Sequence, residues 1–148
     1  MSTVFILAAG IWIGAIVFQS AVVAPTVFTG LDEEQARRFL RAIFPKFFRL
    51  GLVCGVVMAT ALAIMSLVSG SSNALTVLSV TTAAMLIFQG ISLSLVPLIN
   101  AARDSGSAGD KRFRKLHRLS VLLTVLVLLL GVFAIATISQ TIIFRGAT

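Results

Sequence analysis

Two glutamines, one cysteine, a few methionines and a single histidine are the side chains that could do chemistry in this 148-residue, strongly apolar chain. Gln19 and Gln89 each lie inside a long apolar run. Two such amides at matching depth can hydrogen-bond across helices, or line a polar path for a substrate. Cys54, Met58 and Met65 fall within roughly 40° of one another on a helical wheel at 100° per residue. Thiol and thioether groups suit soft ions such as Cu(I), and they serve equally as ordinary apolar filler. The residues therefore specify no metal site, and these three are the one speculative set. His117 sits among basic residues, where it reads as an interface or hydrogen-bonding histidine.

The elements that must position these groups are set by the placement of charge. All of the 12 Lys and Arg residues except Arg145 lie in two stretches, Leu31–Leu50 and Asn100–Ser120. Around them run four segments free of Asp, Glu, Lys and Arg: 4–28, 50–68, 75–99 and 119–144. Each is near the ~20 residues that a helix needs to cross ~30 Å of hydrocarbon. Backbone in lipid must be satisfied within its own segment, so such runs form helices, and no barrel-type alternation of polarity appears. With 58% hydrophobic residues and 11% charged ones, the expected fold is all-α. It is a four-transmembrane-helix bundle forming a single integral membrane domain over 1–148. Span one begins MSTVF without a basic leader, and its apolar run exceeds the ~7–15 residues of a signal, so it reads as retained. One cysteine allows no internal disulfide.

The charge pattern also predicts orientation. Arg37, Arg38 and Arg41 in the first stretch, with Lys111, Arg112, Arg114 and Lys115 in the second, share one side of a four-span bundle. The connector SGSSN at 69–73 on the other side carries no charge. The positive-inside rule places both basic loops in the cytoplasm and both termini outside, in the cell's inner (cytoplasmic) membrane. These lipid-facing basic residues have anionic headgroups as partners. A formal charge of +7 could suggest nucleic acid, but topology already accounts for it, so no nucleic-acid partner is expected.

Apolar positions Ala36, Phe39, Leu40, Ile43, Phe44, Phe47 and Phe48 alternate with arginines at helical spacing. Asp32 and Gln35 have capping-box spacing. An amphipathic interface helix over 32–44 follows, serving as a lipid-binding surface or as a connector packed under the bundle. Pro45 marks a bend or the first turn of span two. The run from Asp104 to Asp110 is a flexible linker by composition. Gly51, Gly55, Ala59 and Ala63 recur every four residues, and Gly10 with Gly14 form a second GxxxG. Such surfaces let helices approach closely, within the bundle or between chains, and packing inside the bundle is the expectation. Phe18-Gln19-Ser20 with Pro25 faintly echoes Phe88-Gln89-Gly90 with Pro97, which a parallel repeat and chance in low-complexity apolar sequence explain about equally well.

The spans exclude several activities. Coupled transporters keep an ionisable group at depth, diheme bundles need facing histidines, and intramembrane hydrolases need a partnered nucleophile. None of these is present, so neither an enzyme nor a cofactor is expected.

Landmarks along the chain point to a family: Val23–Phe28 closing span one, Ile43–Phe48 opening span two, Asn100–Asp104 after span three and Phe113–Ser120 before span four. Together they resemble the transmembrane protein 205-like family, whose bacterial members are also catalogued as a domain of unknown function, number 4149. The resemblance implies a four-helix membrane protein. Eukaryotic members of that family are linked to tolerance of platinum drugs and to export. The matching positions are Pro25, Phe44, Pro45, Asn100, Asp104, His117 and Ser120, expected to form a hydrogen-bonded polar belt at the cytoplasmic interface. Three functions remain open: export or tolerance of metals or amphiphilic compounds as a homo-oligomer, an accessory or assembly subunit of a larger membrane complex, and organisation of lipid.

Overall fold

A computed structural model describes residues 1–146, with side chains described through residue 142; Arg145 and the last residues of the fourth apolar run lie outside the described side chains. Four helices are long and apolar enough to cross a membrane, spanning Ser2–Gly30, Glu33–Ser69, Asn73–Asp104 and Gly106–Ile142. The first is built from α1 (Ser2–Phe18), a wide π-turn over Gln19–Val23, and α2 (Ala24–Gly30). Pro25 explains the wide turn. It offers no N–H to the carbonyl four residues back, so the ladder widens there, and the Ala24 N–H donates five residues back to the Gln19 carbonyl. The Thr26 hydroxyl donates to the Val22 carbonyl at 2.7 Å.

α3 runs unbroken from Glu33 to Ser69 with Pro45 inside it. This corrects the expected division into an interface helix over 32–44 and a separate span. The apolar face of the first turns continues in phase with the span, since Ala36, Leu40 and Phe48 are all buried. One continuous rod therefore keeps both segments' apolar faces on the same side. Its start is fixed by the expected capping box, with the Gln35 N–H donating to Asp32 Oδ1 at 2.8 Å and the Asp32 N–H to Gln35 Oε1 at 3.3 Å.

α4 (Asn73–Asp104) follows after only Gly70, Ser71 and Ser72. Gly70 has φ +74°, and the Ser72 hydroxyl accepts the Leu75 N–H at 3.3 Å. α5 runs Asp110–Gly146. The segment expected to be a flexible linker between α4 and α5 is instead a tight corner containing a 3-10 turn over Gly106–Gly109. Gly106 has φ +59°, and a Cβ on Gly109 would collide with the Ala102 carbonyl. Composition signalled mobility, but Gly106 is needed for its left-handed backbone and Gly109 for close approach.

The helices pack in a ring, with α1 touching α3 and α5, and α4 touching the same two. Phe5, Trp12, Met58, Leu62, Leu78 and Met85 fill its centre. A second, smaller cluster joins Val27 of α2 to Ala36 and Leu40 of α3.

Candidate functional site

Polar chemistry in the bundle gathers at two places. The first is buried at Gly51. A Cβ at this position would land on Gln89 Nε2 and within 2.5 Å of Trp12 Nε1. Gly51 thus lets α3 approach α1 and α4 closely enough for two side chains from opposite corners of the ring to meet. Gln89 Nε2 donates to the Phe48 carbonyl at 3.2 Å. Gln19 and Gln89 therefore do not bond to each other. Gln19 is buried on the π-turn with its Nε2 unpartnered, while Gln89 turns to α3. The ring order, which puts α1 and α4 on a diagonal, could not be read from spacing.

Gly55 lies one turn along, where a Cβ would come within 2.9 Å of Trp12 and 2.5 Å of Leu86. Gly51 and Gly55 thus let the helices pack closely inside the bundle. Gly10 and Gly14 do not. Both are exposed, and a Cβ on either meets nothing within 4 Å. This corrects the expectation of packing inside the bundle, because α1 buries the face carrying Phe5, Trp12 and Ile16 and turns the glycines outward. Cys54 and Met58 are buried in the apolar core, and Met65 is partly buried beside it. The Ser2 hydroxyl lies 3.9 Å from the Met65 sulfur. Among the described residues, no three His, Cys, Asp or Glu side chains come together at a spacing that could hold a metal.

The second place is the basic end, where the close of α2, the start of α3, the end of α4 and the start of α5 converge. Here the expected belt takes a different form. Asp104 pairs with Arg41 at 2.6 Å. His117 remains exposed, its ring stacked on Phe113 at 5.6 Å between centroids. Ser120 is buried, and its carbonyl accepts from Thr124 at 2.9 Å. Asn100 is half-buried. Among the described residues no hydrogen bond joins Asn100, His117 and Ser120, so the mutual network does not form. Exposed pairs tie Arg37 to Glu33 at 2.9 Å and Arg38 to Glu34 along α3. Lys111, Arg112, Arg114 and Lys115 are all exposed at the start of α5.

Sequence reasoning overlooked Arg103. Its guanidinium lies 4.5 Å from the centre of the Phe113 ring, so His117, Phe113 and Arg103 form one stack across the corner. Burial, followed by repulsion from Arg37, lowers the Arg103 pKa. Partial desolvation of the ring beside Phe113 and then the Arg103 charge likewise lower the His117 pKa below its ordinary value, favouring neutral imidazole. The ten-residue separation of Arg103 and Phe113 signals nothing until the corner folds. Beside Arg103 opens a cavity of ≈ 300 Å³ lined by Phe28, Leu31, Glu33, Ala36, Arg37, Leu40 and Arg103. A second hollow of ≈ 180 Å³ lies between α3 and α4, lined by small residues including Ala59, Ala63, Ser79, Thr82 and Ala83. The hydroxyl of Thr82 is buried without a partner.

No curated protein and no solved structure matches this chain. A family match covers residues 7–108, taking in the first three helices, the Gly51 node and the cavity beside Arg103. The chain therefore belongs to the family described as Domain of unknown function (DUF4149).

Proposed function

We propose that this is a non-enzymatic accessory or assembly subunit of a larger membrane complex, docked through the hollow between α3 and α4. The observation that carries the reading is the lining of that hollow. Ala59, Ala63, Ser79 and Ala83 leave room for another helix, and the Thr82 hydroxyl beneath them has no partner. A hydroxyl in hydrocarbon without a hydrogen bond is unfavourable, and an acyl chain offers none. A transmembrane helix with a small or polar residue at that level fits both requirements. The filled centre of the ring favours association over conduction and supports this reading above export. The likeness to the transmembrane protein 205-like family, with its link to export, is the ground for the alternative. The positive-inside bias supports a cytoplasmic location for the basic end, and with it for the first turns of α3.

Extraction in mild detergent followed by native separation tests the assignment. The protein should migrate with a larger assembly, and Ala59→Leu with Ala83→Leu, which fill the hollow, should release it while leaving its own melting temperature nearly unchanged. Migration as a lone homo-oligomer, or no release by the double variant, refutes it.

A further inference from the structure

The cavity beside Arg103 carries an inference independent of the docking reading. Two guanidinium groups, Arg37 and Arg103, line it from different helices. Arg37 is engaged by Glu33 through one terminal nitrogen at 2.9 Å, while its Nε is buried and without a partner. Arg103 rests on Phe113 and has no carboxylate partner among the described residues. The neighbouring Arg41 is neutralised by Asp104. Counting Arg37, Arg103 and Glu33 leaves one net positive charge facing the cavity. A partly desolvated guanidinium with unused donors is unfavourable on its own and becomes favourable when an anion completes it. The remaining wall is apolar, formed by Phe28, Leu31 and Leu40, and Phe28 is 68% exposed at the mouth. The volume, ≈ 300 Å³, lies at the lower end of the ~300–1,000 Å³ range of small-molecule sites.

We propose that this cavity binds a singly charged phosphate ester, its phosphate held by Arg37 and Arg103 and its apolar portion lying along Phe28, Leu31 and Leu40. One net charge matches one phosphodiester, and planar guanidinium forks suit its oxygens. The same phosphate chemistry occurs in an anionic lipid headgroup and in a free phosphate. The apolar wall at the end of span one favours the lipid.

The test uses the full chain, purified in uncharged detergent and titrated with dihexanoyl phosphatidylglycerol, dihexanoyl phosphatidylcholine or inorganic phosphate. Bound ligand is counted by native mass spectrometry alongside the melting temperature. The expected result is saturable binding of one phosphatidylglycerol, weakened roughly tenfold or more by Arg103→Gln or Arg37→Gln, as for loss of a charged hydrogen bond. Arg118→Gln should leave it unchanged. Competition by inorganic phosphate supports the phosphate site and assigns free phosphate as its source; no competition assigns the lipid. Equal binding of phosphatidylcholine, equal loss in Arg118→Gln, or no saturable binding overturns the proposal. Should Arg103→Gln fail to fold, as judged by its ligand-free melting curve, Arg37→Gln decides the same question.

Discussion

At the scale of single residues, glycines with the same sequence signature do opposite work. Gly51 and Gly10 each begin a small-xxx-small pair, yet one is pressed against Trp12 and Gln89 and the other faces outward. Gly51→Val should destabilise the protein by about 1–3 kcal/mol, because the added carbons meet a tryptophan ring and an amide that the ring of helices holds in place. Gly10→Ala and Gly14→Ala should leave the isolated chain unchanged or slightly firmer, since Ala is the better helix former. Thermal unfolding in detergent separates the two cases, and equal loss from Gly10→Ala and Gly51→Val would contradict this packing. The sequence showed that Gly51 and Gly55 share a face. Which neighbour that face meets depends on helix order around the ring, and spacing along one helix holds no information about that. Gln89 illustrates the same limit: its acceptor, a backbone carbonyl on another helix, could not be read from spacing. Arg103 was passed over because a cation's aromatic partner ten residues away becomes visible only once Gly106 and Gly109 close the corner.

At the scale of elements, charge-free runs made the four spans legible, since lipid leaves an apolar segment few choices besides helix. The breaks between elements were harder to read. Pro45 looked like a boundary because proline removes a hydrogen bond, yet α3 continues through it, held by Val27 against Ala36 and Leu40. Pro25, by contrast, coincides with a widened turn. Pro45→Ala should therefore return a donor to the Arg41 carbonyl without altering the path of α3. The expected gain is on the order of 1–3 kcal/mol, read as a higher melting temperature and slower amide exchange over 41–49. A lower melting temperature would mean that the arms need the proline's bend.

At the scale of the whole molecule, the two ends are unequal. α3 has 37 residues, about 55 Å at 1.5 Å per residue, against ~30 Å of hydrocarbon. The connector after it is three residues, so the surplus length gathers at the basic end. The proposed orientation can be read directly, because the one native cysteine, Cys54, is buried and gives little background. In intact cells an impermeant thiol reagent should label Ser71→Cys and spare Ser107→Cys until the membrane is opened. The reverse pattern would invert the topology.

That short connector also bears on how the chain is made. Gly70, Ser71 and Ser72 carry no charge and leave α3 and α4 no slack to part. If the chain inserts from its basic side, the two helices can enter the bilayer together as a hairpin, with only a few small, neutral residues to carry across.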